Sequence, residues 1–334
     1  MLYNDINFNN QTILITGGAG FIGSNLAFYF QKNFPDSNIV IFDCFRSDAT
    51  FSNGNLKSFG HYNNLIGFNG EIICGDLNNK VDLNLLDKYK FDYIFHHAAI
   101  SDTRVLNQEI IFRTNVNSFY DILKKAKKDN SKIIYASSAA TYGSLPSPQK
   151  EGHVLPENPY GFSKFLMDQT AYRFSNENPK MIIVGLRFFN VYGPREYFKA
   201  NTASMIIQLA HQILNNESPR LFNGSNKIFR DFIYIDDVIQ ANIKSCSPVK
   251  SGVYNIGTGN SRSFQDIADI LQKQLGTQLD IEYFSNPYKG YQDSTMADIS
   301  SSIKNLGFKP SFSLETGIKS YLPEIKRMHG ESNT

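Results

Sequence analysis

An α/β fold, a doubly wound parallel sheet with a smaller α/β lobe, is the class that this sequence predicts, and three observations carry it. A glycine turn, Thr16-Gly17-Gly18-Ala19-Gly20-Phe21-Ile22-Gly23, joins the short β-branched run Ile13, Leu14, Ile15 directly to a helical pattern over 24–34. Strand-length apolar runs then keep alternating with helical spacing, the signature of parallel strands joined by crossover helices. The 334 residues exceed a minimal domain and suit one large unit with a second, smaller one. The expected division is 1–187 for the sheet domain, with parts of 230–262 returning to it, and 188–330 for the second lobe.

The glycine turn is the organising element. Spaced glycines at 17, 20 and 23 permit a tight turn, let the backbone approach a pyrophosphate and let the helix lie close on its strand. Free N–H groups at the helix start then face the negative charge. A second strand, 38–42, ends on Asp43, where an acid is expected to bind the adenosine ribose of a dinucleotide. Residues 44–70 lack periodicity and form a long loop. A strand over 71–74 precedes Gly75-Asp76-Leu77, a helix follows near 81–89, and the strand 93–97 leads into the small residues Ala98-Ala99, which let a cofactor pass close to the strand end. The spacing predicts a helix over 105–128, a strand over 132–136, a helix over 160–176 and a strand over 181–187. Beyond Phe188 the pattern changes to helices near 202–214, 237–245 and 263–275 with short strands near 220–222, 253–256 and 280–283. Only the tail after Met328 reads as dispensable.

Composition narrows the function. Apolar residues are 41% and charged residues 19%, and a formal charge of +2 leaves no electrostatic footprint for nucleic acid or an acidic membrane. A small-molecule partner is expected. Cys44, Cys74 and Cys246 are isolated, which supports neither a disulfide framework nor a metal site and fits a reducing cytoplasm. No run has the length or apolarity of a signal segment or a membrane span.

Tyr160 and Lys164 stand four apart at a helix start and project on one face. A lysine ammonium beside a phenol favours phenolate, and a hydroxyl such as Ser138 can share the moving proton. This is acid–base equipment for interconverting a secondary alcohol and a ketone. Taken alone, such spacing is more often a packed tyrosine and a solvated lysine; the glycine turn upstream changes that weighting.

At these residues the chain resembles the extended short-chain dehydrogenase/reductases, through TGGAGFIG (16–23), SSAATYG (137–143) and YGFSK (160–164), over nearly its whole length. More narrowly it is similar to the ADP-heptose 6-epimerase family, through NPYGFSKFLMDQ (158–169), RFFNVYGPRE (187–196), ESPRLFNGS (217–225), RDFIYIDDV (230–238) and YNIGTG (254–259). The resemblance implies a Rossmann domain and a soluble homo-oligomer, typically a pentamer, that inverts the sixth carbon of a nucleotide-linked heptose by transient oxidation. It gives Tyr160 as one acid/base, Lys164 as its partner and ribose ligand, Ser138 as the supporting hydroxyl, and Lys199 as the second acid/base. By the same resemblance the cofactor set is Gly17, Gly20, Phe21, Ile22, Gly23, Asp43, Cys44, Asp76, Leu77, His97, Ala98, Ala99, Ser101, Asn115, Tyr160, Lys164, Val191 and Lys199. The substrate set is Ser138, Asn190, Asn201, Gln208, Phe222, Asn223, Gly224, Ser225, Arg230 and Tyr291. Arg230 suits a pyrophosphate because a guanidinium can bind two oxygens at once.

The sequence also departs from that pattern. The resemblance implies NADP, whereas Asp43 favours the free 2′-hydroxyl of NAD; Arg46 and Lys57 are candidates for a 2′-phosphate. Asn201 and Gln208 stand where a serine and a histidine are expected, and His97 where an acid is common. Asp236 and Asp237 read as helix caps. A hexose 4-epimerase is the alternative enzyme, and a non-catalytic nucleotide sensor the alternative from another class. The intact Tyr160, Lys164 and Ser138 weigh against a sensor.

Overall fold

The computed structural model describes residues 3, 6–247, 249–286 and 294–332. Its strands, in chain order, are β1 (Thr12–Thr16), β2 (Asn38–Asp43), β3 (Glu71–Cys74), β4 (Tyr93–His96), β5 (Lys132–Ser138), β6 (Ile183–Phe188), β7 (Asn190–Tyr192), β8 (Arg220–Phe222), β9 (Phe229–Tyr234), β10 (Gly252–Ile256), β11 (Ser261–Ser263) and β12 (Glu282–Phe284). The helices are α1 (Phe21–Asn33), α2 (Lys80–Asn84), α3 (Gln108–Phe112), α4 (Ser118–Asp129), α5 (Pro159–Glu177), α6 (Met205–Leu214), α7 (Ile235–Lys244), α8 (Phe264–Leu275), α9 (Ser300–Leu306) and α10 (Leu314–Ser332).

Seven parallel strands form the main sheet in the order β10-β6-β5-β4-β1-β2-β3. Both faces are covered, which is why its strands read as continuous apolar runs. Alternation along β1 sends Ile13 and Ile15 to one face, with Leu26 and Phe30 of α1 and Val238 of α7. Leu14 goes to the other, with Phe119 and Leu123 of α4 and Met167 of α5. The strand order reverses between β1 and β4, so a crevice opens beyond their carboxyl ends. The remaining strands form a three-stranded sheet, β11-β9-β7, and the pair β12-β8, with α6, α8 and α10 packed on one another beside them.

Several elements differ from the sequence expectation. The helix expected over 105–128 begins only at Gln108, where the Asn107 side chain accepts from the Ile110 N–H, and a π-turn over Arg113–Asn117 divides it into α3 and α4. That turn points Asn115 inward. The helix expected near 81–89 is the single turn α2 followed by a 3-10 turn over Leu85–Lys88. Asp236 and Asp237 do not cap α7; they lie in its first turn, and the Asp237 carboxylate accepts from the N–H groups of Ser311 and Phe312. The C-terminal helix runs past the buried Met328 to Ser332.

Candidate active site

A cavity of about 380 Å³ lies beyond the carboxyl ends of β1 and β4, and the glycine turn forms its floor. Gly17 has φ +70°, and a Cβ there would stand 2.7 Å from the Ala98 nitrogen. At Gly23 a Cβ would stand 2.3 Å from the Gly17 carbonyl oxygen, so only glycine lets α1 start this close to β1. No side chain caps α1, which leaves its first-turn N–H groups for an anionic ligand. The turn therefore fits a dinucleotide pyrophosphate. At the end of β2 the buried Asp43 carboxylate accepts from the Ala19 N–H at 3.0 Å and the Phe45 N–H at 2.8 Å. Burial pushes its pKa up, and these two donors pull it back.

Two histidines close β4. His97 Nε2 lies 3.1 Å from Asn242 Oδ1, and the Asn242 amide is oriented by donating to the Val238 carbonyl, so Nε2 carries the hydrogen. Burial lowers His97 to about 4 and His96 to about 3, and both are neutral at physiological pH. His97 lines the cavity as a neutral wall.

The reactive side chains converge from β5 and α5. Asn158 caps α5 by accepting from the Gly161 N–H at 2.8 Å, and Pro159 follows it, so Tyr160 and Lys164 occupy the first two turns. Lys164 is 2% exposed, donates to the Ala136 carbonyl at 2.9 Å and lies 5.8 Å from the centre of the Tyr160 ring. Burial lowers it to about 8 while Asp168, one turn further on, opposes the shift. The Tyr160 phenol is pushed up by burial and pulled back by a hydrogen bond with Ser138. The sequence reading assigns the lowering of this phenol to Lys164. In the structure burial sets the direction, and the lysine ammonium is engaged with Ala136. Beneath the pair, Asp168 accepts from Tyr135 Oη (2.9 Å), Ser137 Oγ (3.1 Å) and the Arg187 Nε and Nη2 (3.0 and 2.9 Å).

Lys199 lines the same cavity from a different element, a 3-10 segment over Tyr197–Thr202. Its Nζ lies 5.6 Å from the centre of the Phe21 ring, and burial lowers its pKa against the charge of Glu196. The long 44–70 loop braces this segment. The His61 ring stacks on Phe198 at 3.8 Å, Arg46 donates to the Phe198 carbonyl, and the Asn64 carbonyl accepts from Arg195.

Residues 13–257 match the model of the NAD dependent epimerase/dehydratase family. The chain belongs to that family. As an epimerase-family chain it is 35% identical to the ADP-L-glycero-D-manno-heptose-6-epimerase of Brachyspira hyodysenteriae, over 95% of this chain and 99% of the relative. Among solved structures it is similar to the ADP-L-glycero-D-manno-heptose-6-epimerase of Helicobacter pylori, with a TM-score of 0.90, 47% identity and coverage of 98% and 99% of the two chains. It is also similar to the UDP-glucose 4-epimerase of Thermotoga maritima, with a TM-score of 0.84, 26% identity and coverage of 95% and 99%.

Of the residues expected at the cofactor, the structure brings all but Asn115 to the cavity of this family member. Asn115 instead holds its wall: it accepts from the Ile100 N–H at 2.8 Å and donates to the Ile100 carbonyl at 3.0 Å and to Ser163 Oγ at 2.9 Å. Ser138 lines the cavity, but Asn190, Asn201, Gln208, Phe222, Asn223, Gly224, Ser225 and Arg230 lie outside its lining. Asn190 and Asn201 are exposed, and Gln208 donates to the Ala203 carbonyl at 2.7 Å. Arg230 Nη1 donates to the Phe229 carbonyl at 2.8 Å. Tyr291 lies outside the described residues. Of the two 2′-phosphate candidates, Lys57 is exposed and lines the cavity near Asp43, whereas Arg46 is turned to Phe198. Sequence reasoning missed Thr114, Ser58 and Phe189 in the lining, and it missed Asp168, whose signal was its position eight residues after Tyr160 on one helix face.

Proposed function

We propose that this chain converts ADP-D-glycero-β-D-manno-heptose to its L-glycero epimer at the sixth carbon, supplying a precursor of the lipopolysaccharide inner core. The observation that carries the reading is the entry of Tyr160 and Lys199 into one cavity from different elements, α5 and the 197–202 segment, above a glycine cradle suited to a dinucleotide. Inversion returns hydride to the opposite face of a flat ketone, so the oxygen must exchange its proton in two orientations, and two bases on different elements can serve them.

A bound nicotinamide supplies reversible hydride acceptance at the sixth carbon, without net redox change. Tyr160 takes the proton of the sixth hydroxyl as the ketone forms, and Ser138 shares it through the hydrogen bond that opposes the effect of burial on the phenol. Lys164 orients the cofactor ribose with its ammonium. After the ketone turns over, Lys199 gives a proton to its oxygen in the second orientation, and the proton gained by Tyr160 and the one lost by Lys199 are exchanged with solvent before the next turnover. The same cycle run backwards reverses the two roles. NADP is the proposed cofactor: the exposed Lys57 in the cavity lining supports a 2′-phosphate, and both Asp43 oxygens already accept backbone N–H groups. The substrate set, Asn190 to Arg230 with Tyr291, belongs to the 188–330 lobe and is assigned to the sugar and nucleotide. A homo-oligomer completes the proposal.

Incubation of the purified protein with ADP-D-glycero-D-manno-heptose and no added reductant, followed by proton NMR at the sixth carbon, tests it. The expected result is a mixture of the two epimers, lost in Tyr160→Phe and in Lys199→Met. No conversion with cofactor bound overturns the heptose assignment and turns the search to UDP-hexoses, on the likeness to the Thermotoga maritima enzyme. Conversion that survives Lys199→Met removes the second base.

A further inference from the structure

Glu196 is a carboxylate with 0% exposure three residues before Lys199, and no step above uses it. Its oxygens join the two ends of the segment that carries the lysine. Oε1 accepts from the Gly193 N–H at 3.2 Å and from Ser204 Oγ at 2.8 Å, and Oε2 accepts from the Ser204 N–H at 2.8 Å. The Glu196 carbonyl accepts from the Lys199 N–H at 2.9 Å, and the Lys199 carbonyl accepts from Thr202 Oγ1 at 2.7 Å. Between these ties Ala200 is held at φ +48°, ψ −129°, a backbone conformation that a non-glycine residue adopts only where its surroundings impose it. The carboxylate therefore fixes both the course of the segment and the place where Lys199 leaves it.

Buried charge is costly unless it is compensated, and a neutral amide could keep at most the two contacts made to one oxygen, because its nitrogen donates. What a neutral group could not supply is a field. A lysine that serves as both acid and base must hold ammonium and amine close in free energy, and burial alone drives it toward amine. The groups around it are few in kind. On its own segment stands Glu196, and from α1 comes the Phe21 ring. From the 44–70 loop come Arg46 and His61, and across the cavity stand Tyr160, Lys164, His97, Asp43, Cys44, Asp76 and Lys57. Around Glu196 itself are Tyr192 of β7 and Tyr321 of α10, both neutral phenols. Burial raises the pKa of Glu196, the Lys199 charge and the donors of Ser204 and Gly193 oppose that rise, and the Glu196 charge in turn acts on Lys199 against burial.

We propose that Glu196 is the positioning residue of Lys199: it closes the 193–204 segment and supplies the buried negative charge that balances the lysine between its acid and base forms. This rests on Lys199 as the second base. Glu196→Gln keeps an acceptor and removes the charge. Lysine side chains are followed by ¹³Cε NMR over pH, with the Lys199 signal assigned by its loss in Lys199→Met. The Lys199 midpoint is expected to move down by about one pH unit in Glu196→Gln, as removal of a nearby opposite charge requires. The limb of the kcat profile that reports Lys199 should move with it, while KM for the sugar nucleotide changes little.

An unmoved midpoint in a folded Glu196→Gln overturns the proposal. Should that variant not fold, Ser204→Ala decides. It removes one tie and leaves the charge, so kcat should fall several-fold with the Lys199 midpoint retained, and an unchanged kcat overturns the proposal. Failure of the second-base reading is distinguishable, because the NMR midpoint reports the Glu196–Lys199 coupling even where Lys199→Met still converts substrate.

Discussion

Replacement of Asp168 by asparagine tests how far the catalytic cluster depends on the ion pair beneath it. Asp168 and Arg187 are 3% and 4% exposed, and four hydrogen bonds end on the one carboxylate. Asp168→Asn leaves the Arg187 guanidinium charged and buried without a counter-ion, a class of change that costs about 3–5 kcal/mol. The asparagine oxygen can still accept from Tyr135 or Arg187, which places the expected loss near the lower end. Urea unfolding at neutral pH, with fluorescence and circular dichroism as parallel probes, measures it. Arg187→Met in the same chain removes the stranded charge, and the double variant should recover at least about 1 kcal/mol over Asp168→Asn alone, a coupling that only contacting partners show. Refutation is equally concrete: Asp168→Asn within about 0.5 kcal/mol of the parent, the range of ordinary surface changes, or single costs that simply add.

Gly23→Ala should weaken NADPH binding by tenfold or more in a fluorescence titration. Its Cβ would meet the Gly17 carbonyl at 2.3 Å, and relief by moving α1 costs about 1–3 kcal/mol at the surface that receives the pyrophosphate. Lys57→Ala should lower affinity for NADP about tenfold, the size of one lost charge-assisted hydrogen bond, and leave NAD unaffected; equal loss for both removes Lys57 from the 2′-phosphate. Stability should fall as pH drops from about 6.5 toward 4. His96 and His97 have lowered pKa values, so over that window the unfolded chain binds protons that the folded chain excludes. Each histidine contributes up to about 1.4 kcal/mol per pH unit there, and His97→Gln should flatten the urea midpoint against pH.

The main sheet was legible because its causes are local. Ile13 to Ile15, the glycine turn and Asp43 each announce their conformation within a few residues, and seven buried parallel strands leave no polar face to blur the runs. What escaped depends on distant partners. Strand β9 is buried from Arg230 to Tyr234 and pairs with β7 and β11, which are three residues each. The π-turn at Arg113–Asn117 follows from Asn115 reaching both polar groups of Ile100, a contact that no helical period encodes. Asp237 looked like a cap because an acid before a helix usually is one, yet its partners arrive seventy residues later in Ser311 and Phe312. The site shows the same division. Tyr160 and Lys164 share one helix face and could be paired from spacing, whereas the role of Asn115 in the wall and the turn of Arg46 away from the cavity needed the folded chain.

The charges of the cavity argue for a common design. Burial lowers the pKa of both Lys164, to about 8, and Lys199, and a buried carboxylate acts against the shift at each: Asp168 one turn beyond Lys164, Glu196 one turn before Lys199. The carboxylates do not reach into the cavity, because Asp168 is occupied by Arg187, Tyr135 and Ser137, and Glu196 by Gly193 and Ser204. The wall between them, His97 with Ala98 and Ala99, is neutral. The exposed side chains of Lys57 and Asp76 also line the cavity. On the proposed mechanism the cavity holds two proton carriers, Tyr160 and Lys199, on different elements, as a reaction requires whose intermediate is an uncharged ketone met in two orientations. Removing either carboxylate should therefore change protonation equilibria before it changes binding, and pH profiles separate those two effects where a single rate cannot.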